Sequence, residues 1–189
     1  YSEKIFHYLS PILSVFEKKN AKEKSFGRKD GKKSIILVGC HRTGESIALS
    51  LPIAKLLVVD FDPEVIDRLK KKGFYCILGD SSDEEVFESI NSNDAKLIIS
   101  TSPDLDDNLA LIENFKNLSS KPPKLILRAE TEDEAKILYA KGADYCLLPH
   151  LTSGHYLGKN LSKISSLTVS LENLKEKDLS LLGKLAKKT

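Results

Sequence analysis

Methionine is absent from this 189-residue chain, which opens on Tyr1. A natural reading frame starts with methionine, so the sequence reads as a piece of a longer protein. Also missing is any apolar run near the 18 or more residues that span a bilayer. No secretory leader pattern stands at the amino terminus. Cysteine is scarce: Cys40, Cys76 and Cys146 are odd in number, far apart and outside any C-x-x-C pair. That pattern predicts buried, reduced thiols at strand ends, suited to the cytosol, rather than disulfides.

What is present fits one soluble globular domain with some length to spare. Hydrophobic residues make up 41% and charged residues 30%. The net charge of +2 hides an asymmetry: residues 1–33 hold nine Lys/Arg against four Asp/Glu, and the remainder is mildly acidic. A basic leading segment fits a tether near an anionic membrane surface, and equally a solvated linker. Within it, Ile5, Leu9, Ile12, Leu13 and Phe16 recur at helical spacing, with a kink expected at Pro11. Residues 20–33 carry no periodicity and read as a Lys-rich linker.

From Ser34 the pattern changes. Short apolar runs at 35–38, 56–59, 75–78, 97–99, 124–127 and 145–148 alternate with amphipathic stretches. Continuous apolarity marks strands covered on both faces. Asp62 with Pro63, Asp104, and the Thr131/Glu134 capping box start helices; Gly73 and Gly142 end two of them. The expected fold is α/β: a Rossmann-like, doubly wound parallel sheet of about six strands in a single domain, preceded by a helical and linker segment. Its ligand crevice lies at the carboxyl ends of the strands. The divisions are 1–33, 34–150 and 151–189. Gly154 to Ser165 reads as a last helix; the tail from Leu167 mixes a short β-like run with a Lys-rich stretch.

Chemistry concentrates at the strand ends. After the first strand comes Gly39-Cys40-His41-Arg42-Thr43-Gly44. The dinucleotide fingerprint G-x-G-x-x-G keeps its first and third glycines here, but its second is His41. Gly39 permits the tight turn, Gly44 permits close helix–strand packing, and the helix start offers N–H groups to an anion. His41 crowds the approach of a pyrophosphate, which favours a mononucleotide. Arg42 is placed to hold a phosphate, though a plain surface arginine is the simpler alternative. Asp60 follows Gly39 by 21 residues, the spacing of an acid that bonds ribose hydroxyls and repels a 2′-phosphate. Phe61 either flanks an adenine ring or packs. Asp80 and Ser81, after the third strand, offer acceptors to an adenine amine or cap the next helix. Thr101 brings a hydroxyl near the phosphates, and Arg128 a cation near the crevice or at a dimer contact.

Together, G-C-H-R-T-G, V-V-D-F-D-P, G-D-S-S, L-R-A-E-T-E-D-E-A and G-A-D-Y-C-L-L-P-H resemble the potassium-conductance regulator (RCK, or TrkA-N) domain over about residues 34–160. Residues 1–20 resemble the membrane-exit segment of a Kef-type monovalent cation:proton antiporter. The resemblance implies a dimer with a final helix crossing to its neighbour, and a regulatory ligand among AMP, ADP, ATP and NAD(H). It implies control of potassium or sodium flux through an attached transmembrane domain, at the cytoplasmic face of the cell membrane. It carries nucleotide contacts onto Gly39, Arg42, Gly44, Asp60 and Asp80. With His41 in place of glycine, AMP is the favoured ligand.

No catalytic residue and no metal ligand set is expected. His150 and His155 lack convergent partners and read as surface residues. The alternatives are an NAD-binding oxidoreductase, for which no substrate domain fits in the remaining length, and a free-standing subunit of a potassium channel or transporter, against which the segment 1–19 argues. Nucleic-acid binding is not expected, because the basic residues are not interleaved with aromatics.

Overall fold

The computed structural model of the chain describes residues 33–80, 83, 86, 95–116, 122–162 and 167–187. The expected helix over 1–19, the linker up to residue 32, and Ser81 lie outside the described residues. Six strands form one sheet: β1 (Ile35–Val38), β2 (Leu56–Asp60), β3 (Tyr75–Leu78), β4 (Leu97–Ser100), β5 (Lys124–Arg128) and β6 (Tyr145–Leu147). The described helices are α1 (Arg42–Ser50), α2 (Pro63–Lys71), α3 (Leu105–Lys116), α4 (Glu132–Lys141), α5 (Pro149–Leu161) and α6 (Leu167–Lys187), with a short 3-10 turn at Ile53–Lys55.

Every strand pair is parallel and the order is β3-β2-β1-β4-β5-β6. This is the doubly wound Rossmann-like arrangement, with strand order reversing between β1 and β4. The continuous apolar runs have a direct cause. Ile36, Val38, Leu57 and Val59 pack into one core with Leu111 and Phe115 of α3 and Leu138 of α4. Leu37 and Val58 point the other way, into a second core with Leu49 of α1 and Val65 and Leu69 of α2. Each central strand is thus covered on both faces.

The boundary signals act locally. The Asp62 carboxylate accepts the Glu64 N–H at 2.8 Å, with Pro63 at the first helical position. The Asp104 carboxylate accepts from Asp106 and Asp107 at 2.8 and 3.2 Å. Thr131 accepts the Glu134 N–H at 3.2 Å, but the Glu134 carboxylate reaches the Glu130 N–H, one residue before the reciprocal partner of a capping box. Gly142, at φ 116°, closes α4.

Two expectations need correction. The helix after β6 starts at Pro149, not Gly154, because proline fits the first helical turn where its missing N–H is no loss. The tail is no β-like run: α6 is a 21-residue helix. Its opening Leu-Thr-Val-Ser-Leu alternates like a strand, but the Leu, Lys and Glu that follow are strong helix formers and decide the state. Its Leu171, Leu179, Leu181 and Leu182 are all more than half exposed.

The three cysteines are free thiols; Cys40 and Cys146 are buried and Cys76 is half-buried. Burial, with the nearby Asp60 and Glu45 charges, pushes the Cys40 thiol up to about 12. Burial likewise raises Cys76 to about 11.

Glu45 joins α1 to α2 through ion pairs with Arg68 at 3.0 Å and Lys72 at 2.9 Å. Partial burial alone would raise its carboxyl pKa; the Lys72 hydrogen bond and the Lys72 and Arg68 charges outweigh that and hold it below the ordinary value. A depressed carboxyl contributes stability above its unfolded pKa and loses it as pH falls through the folded one. Glu45→Gln is therefore expected to cost about 1 kcal/mol at pH 7. Urea titrations should show that deficit shrinking as pH drops below 4.5, the ordinary value.

Candidate functional site

The reversal of strand order splays the loops after β1 and β4 and opens a cleft of about 570 Å³ at the carboxyl ends of the strands. Five strand ends contribute. The β1–α1 turn supplies Gly39, His41, Arg42 and Thr43; β2 supplies Asp60 and Phe61; β3 is followed by Gly79 and Asp80; β4 by Thr101, Ser102 and Pro103; β5 ends in Arg128. Nine of the eleven sequence-selected residues line this one cleft. Gly44 is buried under the turn, and Ser81 is not among the described residues.

The turn is built around its glycines. Gly39 sits at φ 76°, and its N–H donates to Val59 O at 2.9 Å. A Cβ on Gly44 would fall 2.1 Å from Gly39 O, so no side chain fits there without moving α1 off the turn. The Thr101 hydroxyl donates to Gly39 O at 3.0 Å, tying the β4 loop to the same carbonyl.

His41 is the N-cap of α1, at φ −72° and ψ −153°. Any residue adopts that backbone, so the glycine of the dinucleotide fingerprint is not required there by conformation. The imidazole makes no capping bond, and the N–H groups of the first helical turn have no intrahelical acceptor. Arg42 is exposed and forms no ion pair with any described residue.

Asp60 is 3% exposed. One of its oxygens accepts the Cys40 N–H, and the other accepts the Asp62 N–H at 2.9 Å. Each oxygen retains a further lone pair for a ligand hydroxyl. The carboxylate expected to meet a sugar is thus also the brace between the phosphate-type turn and the end of β2. Phe61 is 71% exposed at the rim, so it is not a packing residue. Arg128 is no free cation: its Nε and Nη2 both lie 2.6 Å from Glu130 Oε1, and its Nη1 donates to Thr101 O at 3.4 Å.

Sequence reading passed over Asn108, which is fully buried. Its amide nitrogen lies 3.0 Å from Ser102 O, 2.9 Å from Asp104 O and 3.0 Å from Arg128 O. It pins the β4 loop, the start of α3 and the end of β5 to one another. Its Oδ1 is buried without a hydrogen-bond partner among the described residues. Asp107, also passed over, accepts from Ser102 Oγ at 2.9 Å and lines the cleft. In sequence it reads only as an acid in a helix's first turn, which the dipole favours anyway. His150 lies 3.7 Å from Glu132 on the surface. No cluster of three potential metal ligands occurs among the described residues.

Residues 35–149 match the TrkA-N domain family. The chain belongs to that family. No curated protein sequence matches it. Among solved structures, it resembles the NAD(P)-binding domain of an exopolyphosphatase-related protein from Archaeoglobus fulgidus, at 21% identity and TM-score 0.62, over 70% of this chain and 100% of that one. It resembles the TrkA-N domain of the inner membrane protein ybaL from Escherichia coli, at 21% identity and TM-score 0.59, over 69% and 97%. It also resembles the Kef CTD of Shewanella denitrificans in its AMP-bound form, at 21% identity and TM-score 0.58, over 80% and 98%. At such identities these likenesses show the shared fold, and the family match places this TrkA-N domain.

Because Asp60 holds two backbone donors, Asp60→Ala is expected to destabilise the ligand-free TrkA-N domain by about 2–4 kcal/mol in urea denaturation. A variant as stable as the wild type would remove the brace.

Proposed function

We propose that this TrkA-N domain is the nucleotide-sensing cytosolic part of a Kef-type potassium or sodium:proton antiporter, and that its regulatory ligand is AMP. The reading rests on one juxtaposition. A single cleft brings together a carboxylate at the end of β2, an arginine at the start of α1 with no ion-pair partner among the described residues, and a histidine where the dinucleotide fingerprint has glycine. Asp60 meets the ribose, Arg42 and the α1 N–H groups meet the phosphate, and Phe61 lies against the base. Asp80 accepts from the adenine amine. His41 fills space that a pyrophosphate would need. The AMP-bound Kef CTD, similar in fold, supports the choice of ligand.

In this reading residues 1–33 lead from the transporter's membrane domain, 34–150 bind the nucleotide, and 151–189 reach a second copy in a homodimer. The protein regulates and does not catalyse. Nucleotide binding controls transport by favouring one arrangement of the dimer over another. The competing reading is a dinucleotide site, favoured by the fold shared with an NAD(P)-binding domain. The two readings differ in what binds.

Calorimetry with AMP, ADP, ATP, NAD, NADH and adenosine tests both. AMP at about 100 times its Kd is expected to stabilise the native state by about 2.7 kcal/mol. Arg42→Ala should weaken AMP by about tenfold or more while leaving adenosine nearly unchanged. Equal losses for both ligands would take Arg42 out of the phosphate role, and tighter binding of NAD than of AMP would favour the competing reading.

A further inference from the structure

We infer that Glu130 limits this cleft to one phosphate, by occupying the cation that a second phosphate would need. The inference rests on the nucleotide reading above and concerns how the same site selects its ligand.

The strand order sets the direction of any bound nucleotide. A sugar at Asp60, on β2, and a first phosphate at the start of α1, after β1, point the remaining phosphates toward β4 and β5. The arginine on that side is Arg128. It lies close to the first phosphate position: its Nη1 bonds Thr101 O, and the Thr101 hydroxyl bonds Gly39 O. A guanidinium there is the natural partner for a β-phosphate.

Glu130 has taken that partner's place. One of its oxygens, Oε1, lies 2.6 Å from both Nε and Nη2 of Arg128. Glu130 is itself held, since its backbone N–H donates to the Glu134 carboxylate at 2.8 Å. The carboxylate stands in for a phosphate oxygen and cancels the charge that would attract one. A second acid lies on the same side: Asp107, fixed by Ser102 Oγ at 2.9 Å. On the β4–β5 side the one lining arginine is thus neutralised by Glu130 from behind and faced by Asp107 in the cleft, while the α1 half presents Arg42 with no ion-pair partner among the described residues. A monophosphate uses the α1 half alone. A diphosphate or triphosphate must displace Glu130 from Arg128 or leave its outer charges beside Asp107 with the nearby arginine already neutralised.

The test is calorimetry of AMP, ADP and ATP, without divalent metal, on the wild-type chain, on Glu130→Gln and on the double variant Glu130→Gln/Arg128→Ala. Thermal melts would check that all three are folded. The wild type should bind AMP more tightly than ADP and ATP. Glu130→Gln should raise the ADP-to-AMP affinity ratio by about tenfold, a half-exposed pair giving way to a charge-assisted phosphate contact. The double variant should lose that gain. An unchanged ratio in Glu130→Gln, or a gain that survives loss of Arg128, overturns the inference and leaves the AMP reading standing. Failure of all three nucleotides to bind any of the proteins overturns both.

Discussion

The buried Asp60 carboxylate is the contact on which the cleft depends. It is nearly sealed from solvent, and a charge in that position is tolerated only with donors at each oxygen. Those donors are backbone N–H groups of Cys40 and Asp62. The first belongs to the turn after β1. The second belongs to the residue whose own carboxylate caps α2. The Asp60 carbonyl in turn accepts the Gly79 N–H at 3.0 Å, at the end of β3. One residue thus ties three adjacent strand ends together.

A matching set of bonds continues across the reversal point. The Thr101 N–H donates to Val38 O at 2.9 Å and its hydroxyl to Gly39 O. Arg128 reaches Thr101 O, and Asn108 gathers the carbonyls of Ser102, Asp104 and Arg128. The rim from β3 to β5 is therefore held mostly by bonds to backbone atoms, which leaves the exposed side chains His41, Arg42 and Phe61 to vary without disturbing the turn.

Much of this was legible in the sequence because local and global signals agree. Ile35–Val38 and Leu56–Val59 read as doubly covered strands, and Asp62-Pro63 and Thr131 as helix starts, without tertiary information. The nine cleft residues were legible because strand ends carry them and the topology gathers strand ends. Other features were not. The tail was misread because Leu167 to Leu171 alternate over too short a window to outweigh the helix formers beyond. Asn108 gave no sign, since its partners are carbonyls 4, 6 and 20 residues away and any backbone supplies those. Glu130 was visible only as one acid among several before α4; its pairing with Arg128 depends on the bend after β5, which no periodicity records.

The frame also constrains how a bound ligand could act at a distance. The chain leads into β1 at its far end from the cleft. There Ser34 O accepts the Lys96 and Leu97 N–H groups at 2.9 and 3.2 Å, and the Lys33 ammonium bonds Ala54 O and lies over the Tyr75 ring. Between that anchor and the Gly39 turn run only four strand residues, hydrogen-bonded to β2 and β4 on either side and packed on both faces. Such a strand does not stretch or slide by small amounts, because moving it breaks two ladders together. A displacement at the Gly39 turn therefore has no soft path along β1 to Lys33. Under the nucleotide-sensing proposal, the rim and the exposed helices are where two arrangements can differ without unfolding the sheet. The exposed leucines of α6 and the exposed Leu151, Tyr156 and Leu157 of α5 supply apolar surface of that kind.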